Sequence, residues 1–142
     1  MAVHIRPKEL VRRYTEEVWS KGDVDAMPEI LTQHQIYHDP AGSGEEHLSE
    51  FATFIQRYRD AFPDLRFDVS HMVEEGDHVA FWGRVTGTHE GPFMGLEPTG
   101  RQIDIMGISA VRLEDGKIAE RWANFDILGM LQQLGVEPLG TL

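Results

Sequence analysis

The stretch from Arg101 to Asp126 limits the possible folds more than any other part of the chain. Two long runs, Arg101 to Glu114 and Lys117 to Asp126, meet at Asp115-Gly116, a pair suited to a tight antiparallel hairpin. Strand side chains alternate, so Trp122, Asn124 and Asp126 share one face, and the apolar segment Ile127 to Leu134 then turns into a short helix that stops at Gly135. Pairing counted outward from the turn sets Ile105 opposite Asp126, Gly107 opposite Asn124 and Ser109 opposite Trp122. Small residues facing Trp122 and Asn124 leave room for a cavity above them.

The preceding chain supplies the rest of an α+β domain. Pro7 suits a first helical turn, and Leu10, Val11, Tyr14, Val18 and Trp19 recur at helical spacing until Lys21-Gly22. A second, shorter helix is expected over Val24 to Leu31 and a short strand over Gln35 to Asp39, ended by Pro40 and Gly42. Ser43 and Glu46 have capping-box spacing ahead of the apolar stripe Leu48, Phe51, Phe54, Ile55, Tyr58 and Phe62, which predicts the longest helix. Leu65, Phe67, Val69, His71 and Val73 alternate with polar residues, placing His71 on the apolar side of a strand as a core histidine. Glu75-Gly76-Asp77 turns into a long strand, His78 to His89, with Gly83 and Gly87 as bends or bulges, and Glu90 to Gly100 is a loop of the kind that rims pockets. The expectation is a single domain over 1–142, with helices on one face of a curled antiparallel sheet and a tail after Gly135.

Composition excludes several function classes. A formal charge of −11, with 13 Lys and Arg scattered along the chain, opposes binding to nucleic acid or to an anionic membrane. No cysteine is present, which removes disulfides, thiol catalysis and thiolate metal sites. Without a signal-peptide or membrane-spanning apolar run, the expected compartment is the cytoplasm. Of the seven histidines (4, 34, 38, 47, 71, 78 and 89), only His34 and His38 have i, i+4 spacing, and they flank a strand rather than a helix, so no metal site is expected.

Two readings of Asp126 stand side by side. Roofed by helices, it becomes a desolvated acid in an aromatic pocket, with a pKa suited to proton transfer; directly before a helix, it is also a favoured N-cap. His38 is a candidate hydrogen-bond donor to an enolate oxygen, or else a residue capping the turn at Asp39-Pro40. Tyr14, Trp19, Trp122, Asn124, Ile105 and Ser109 are candidate substrate-binding residues, and the aromatic ones among them are equally at home as plain core.

The chain resembles the SnoaL-like polyketide cyclase family, which has a nuclear-transport-factor-like cone fold. The resemblance is carried by His38-Asp39-Pro40, Phe62-Pro63-Asp64-Leu65, Glu75-Gly76-Asp77, Gly87-Thr88-His89-Glu90-Gly91, Pro98-Thr99-Gly100-Arg101 and Arg112 to Ile118, and by Trp122 and Asp126 ahead of Gln133-Leu134-Gly135. It implies a cone-shaped curled antiparallel or mixed sheet, with about three N-terminal helices over its concave face and a short C-terminal helix. It further implies a deep apolar pocket, a homodimer packed through sheet faces, and intramolecular aldol chemistry without metal or cofactor, with Asp126 as general acid and base. Ile103, Ile105, Met106, Gly107 and Ile108 leave the central strand apolar, so the expected ligand is a small apolar carbonyl compound. Two alternatives remain: a non-catalytic dimeric module binding an apolar small molecule, and an epoxide hydrolase on the same fold using Arg101, Asp104 and Asp126.

Overall fold

A computed structural model describes residues 6–137; His4 and the end of the tail lie outside the described residues. Helix α1 (Pro7–Arg13) continues without a break as a π-helical segment (Tyr14–Ser20), and a 3-10 turn (Val24–Ala26) leads into the single-turn helix α2 (Met27–Ile30). Strands β1 (Leu31–Asp39) and β2 (Gly42–His47) form a hairpin, followed by the long helix α3 (Leu48–Ala61). Strands β3 (Arg66–Glu75), β4 (His78–Thr88), β5 (Gln102–Glu114) and β6 (Lys117–Phe125) then run as a meander, and α4 (Ile127–Gln133) closes the order.

All six strands join one sheet in the order β2-β1-β6-β5-β4-β3. It is mixed rather than antiparallel throughout, because β1 lies parallel to β6. The hairpin after Glu114 forms as its residues require: Asp115 and Gly116 both have positive φ (52° and 78°), the backbone of a type I′ turn. One sheet face is covered by the helices. Phe81, Val85, Ile103, Ile105, Val111 and Ile118 pack there against Leu10, Val11, Val18, Phe51 and Ile55 in one continuous core. The other face is open and carries exposed Ile36, Val73, Met106 and Ile108.

Three local expectations are corrected. Ser43 lies in β2 and caps nothing: the capping box is His47 with Glu50, whose side chains bond the Ser49 amide and the His47 amide. His71 is exposed, because β3 bulges between Val69 and His71 and swings that ring onto the open face, where it stacks on Trp82 at 5.1 Å. Gly83 sits opposite the start of that bulge, where an added Cβ would fall 1.9 Å from the Asp68 carbonyl oxygen. The third correction concerns the β5–β6 register. Ile118 pairs with Leu113 as counted, but Ala119 is an extra residue in β6, so Glu120 meets Arg112 and every later pair moves by one. Asn124 therefore faces Ile108, Trp122 faces Ala110, and Ser109 faces Ala123.

Candidate functional site

That one-residue shift decides which β6 side chains face the helices. Arg121, Ala123 and Phe125 do; Trp122 and Asn124 point to the open face. Between the sheet and the helices lies a cavity of about 410 Å³. Its walls are aromatic: Tyr14 and Trp19 from the π-helical segment, Phe51, Phe54 and Tyr58 from one side of α3, and Phe125 from β6. The rings brace one another, with Trp19 in edge contact with Phe51, Phe54, Tyr58 and Phe125 at 5.9 to 6.3 Å between centroids. Ser109 and Ala123, a pair of small neighbours on adjacent strands, leave the floor of the cavity open.

The floor holds one cation. Arg121 is 8% exposed; its Nε donates to Gln35 Oε1 at 2.6 Å, its Nη2 is ion-paired with Glu46, and its guanidinium carbon lies 3.5 Å from the Phe51 ring centroid. The remaining nitrogen, Nη1, has no hydrogen-bond acceptor among the described residues. It is not sealed in protein either: His89 Nε2 is the one fully buried side-chain nitrogen or oxygen without a partner among the described residues. Arg121 lines the cavity beside the Tyr14 phenol, and the two N–H groups of Nη1 are not used by Gln35 or Glu46. Burial pushes the neighbouring Tyr14 phenol up, a shift that the guanidinium partly opposes, so Tyr14 is a neutral phenol at neutral pH.

At the mouth of the cavity stands Asp39. Its Oδ1 accepts from the amides of Ala41 and Gly42 at 2.8 and 3.1 Å, which fixes the carboxylate across the β1–β2 turn, and its Oδ2 has no partner among the described residues. Burial, with the Asp39 charge nearby, holds the Tyr58 phenol above its ordinary value. The loop from Glu90 to Gly100 does not line the cavity; Phe93 backs it by packing on Tyr58 and Phe62.

The predicted site residues divide three ways. Tyr14, Trp19 and Ser109 line the covered cavity. Ile105 is buried core, 1% exposed. The others lie elsewhere. Asp126 is exposed and not desolvated: it is the N-cap of α4, accepting from the Gly129 amide at 2.8 Å. Trp122 and Asn124 border a shallower groove of about 430 Å³ on the open face. His38 reaches the cavity rim, but its ring stacks on Trp122 at 5.0 Å and is held by Glu120 (2.7 Å) and Ser43 (2.8 Å) on the open side. The epoxide-hydrolase set is not assembled. Asp104 is paired with Arg84 on the open face at 2.8 Å, Arg101 packs at Gly135, and neither lines the cavity. Sequence reasoning missed Arg121, Glu46 and Gln35, which sit among other polar residues in stretches such as Gly42 to His47 and Thr32 to Asp39 and carry no local signal.

The family described as SnoaL-like polyketide cyclase matches residues 9–134. This chain belongs to the SnoaL-like polyketide cyclase family. It is 30% identical over 139 residues to the aklanonic acid methyl ester cyclase DnrD of Streptomyces peucetius, covering 94% of this chain and 92% of that one. IdmH of Streptomyces antibioticus superposes with a TM-score of 0.83 at 28% identity, over 93% of this chain and all of that one. A SnoaL-like protein of Jannaschia sp. CCS1 gives 0.84 at 26% identity, over 96% of this chain and 100% of the other. The aromatic cavity of this SnoaL-like chain is thus set in a fold shared with a named cyclase. Among the described residues no helix is long and apolar enough to cross a membrane.

Proposed function

We propose that this chain is a cofactor-independent cyclase or isomerase of the cytoplasm that binds a planar, largely apolar carbonyl compound in the aromatic cavity and moves a proton from the carbon beside that carbonyl. The observation that carries this reading is the Arg121 guanidinium, buried, braced on three sides, and lining a largely apolar cavity with the N–H groups of Nη1 not used by Gln35 or Glu46. A donor fixed before reaction stabilises the oxygen anion that forms when an adjacent C–H is ionised, and it acts strongly where water is excluded. The volume of about 410 Å³ lies within the range of roughly 300–1,000 Å³ common for small-molecule sites.

Asp39 is the proton acceptor in this scheme. Its Oδ2 takes the C–H proton while the bonding pair moves onto the carbonyl oxygen facing Arg121. The enolate carbon then bonds to a second carbonyl carbon of the same molecule, and the new alkoxide takes the proton back from Asp39. DnrD's name as a methyl ester cyclase agrees with this class of chemistry. The test is proton–deuterium exchange, followed by NMR, at the acidic carbon of an apolar β-dicarbonyl, comparing wild type with Asp39→Asn and Asp126→Asn. Exchange should be accelerated by wild type and by Asp126→Asn and lost in Asp39→Asn. Loss in Asp126→Asn alone would return the base role to Asp126.

One observation favours a non-catalytic binding module as the second reading: the cavity residues on β5 and β6, Ser109, Arg121, Ala123 and Phe125, include neither a carboxylate nor a histidine, and His38 and Glu46 on β1 and β2 are already held by Glu120 and Arg121. Tight binding without exchange in wild type would favour it. In either case we propose a homodimer packed through the open sheet face, where Met106 and Ile108 are 48% and 49% exposed beside half-buried Trp82 and Trp122.

A further inference from the structure

We propose that Glu46 sets the charge of the ligand this cavity accepts: by neutralising Arg121 it makes the site select an uncharged carbonyl compound and reject the corresponding carboxylate. The inference rests on the carbonyl-binding reading above. It starts from the placement of Glu46, at the end of β2, where the strand pairing sets it against Gln35 and so within reach of Arg121 on the far side of β1.

A lone guanidinium in an apolar cavity is an anion site, because a carboxylate would meet both its charge and its paired donors. This guanidinium is not alone. Its Nη2 is occupied by the Glu46 carboxylate and its Nε by the neutral oxygen of Gln35, so the Nε/Nη2 fork is taken, and a ligand carboxylate on the other fork, Nη1/Nη2, would share Nη2 with the Glu46 charge. What remains at Nη1 is a pair of N–H groups that diverge from one nitrogen, on a group whose charge is balanced, which suits a carbonyl oxygen better than a forked carboxylate. The other charges point the same way. Among the described residues Arg121 is the sole Lys or Arg lining the cavity, whereas Glu46 and Asp39 are both carboxylates; the rim histidine, His38, is bonded to Glu120, and burial keeps the Tyr14 and Tyr58 phenols neutral. An entering anion passes Asp39 and then meets a cation already compensated.

Glu46→Gln removes the charge and keeps a side-chain oxygen for Arg121 Nη2. The neutral floor then becomes cationic, and the preference should swing toward anions. The probes are methyl 2-naphthoate and 2-naphthoate, planar partners differing in one charge, titrated calorimetrically at pH 7. Wild type should bind the ester at least about tenfold more tightly than the acid, and Glu46→Gln should move that ratio toward the acid by about tenfold or more. Glu46→Asp, which keeps the charge, should retain the ester preference, and ester binding by each variant reports that its cavity is intact. Equal or tighter binding of the acid by wild type overturns the proposal, as does an unchanged ratio in Glu46→Gln or a lost preference in Glu46→Asp. If neither probe binds folded wild type, the cavity reading itself fails, and this inference with it.

Discussion

Replacing Arg121 by methionine should destabilise the fold far more than replacing Arg121 and Glu46 together. Methionine keeps an apolar body over Phe51 but removes the charge, leaving the Glu46 carboxylate, whose side chain is 19% exposed, without its partner. Breaking a buried ion pair from one side costs roughly 3–5 kcal/mol, and the partial exposure of Glu46 puts this case at about 3. In Arg121→Met/Glu46→Leu no charge is stranded. What remains is Gln35, 1% exposed, deprived of its donor at a cost of about 1 kcal/mol. The double variant should therefore be more stable than the single by about 2 kcal/mol, a difference of several degrees in Tm for a chain of 142 residues. Urea denaturation with equal m-values for the three proteins measures it. A double variant no more stable than the single would show that Glu46 is not held by Arg121, and would remove the basis for the charge-balanced floor.

Asp126→Ala should cost about 1 kcal/mol by loss of the α4 cap, and Asp126→Asn only a few tenths, in chemical denaturation. Gly83→Ala should cost at least about 3 kcal/mol or prevent folding, since its Cβ collides with the Asp68 carbonyl oxygen across the β3–β4 ladder; an undisturbed thermal melt would refute that. His38 first and Arg112 second hold the Glu120 carboxyl below its ordinary value of 4.5. A carboxyl depressed in the folded state contributes stability above its unfolded pKa and loses it as pH falls through the folded value. Wild type should thus weaken below about pH 4.5 with a steeper slope than Glu120→Gln, and parallel curves would contradict the assignment. Ile108→Lys, which charges the open face, should convert a dimer to a monomer in sedimentation equilibrium; a wild type already monomeric at high concentration would rule out that interface.

The α+β class, the four long strands after α3 and the last hairpin were legible in the sequence because they rest on local signals: alternation, turn residues and helical spacing. Tyr14 and Trp19 were legible on the inner side of the first helix for the same reason, whereas Ser109 was picked out through a pairing with Trp122 that the bulge at Ala119 overturns. The site's polar groups were not, and the cause is specific. Ala119 is indistinguishable from an ordinary strand residue, yet as a bulge it shifts every later β5–β6 pair and sends Trp122 and Asn124 to the open face. The bulge after Val69 does the same to His71. The parallel pairing of β1 with β6 joins segments some eighty residues apart and brings Gln35 beside Arg121, a contact that no local pattern announces. Asp126 was legible as a cap, because capping is also local.

The most direct test is the crystal structure of the protein with a bound apolar β-dicarbonyl. The account predicts the ligand's ring in the cavity against Trp19 and Tyr58, one carbonyl oxygen about 2.7–3.2 Å from Arg121 Nη1, and the acidic carbon facing Asp39 Oδ2. A ligand seated instead on the open face against Trp122 and Ile108, with the covered cavity unoccupied, would contradict it.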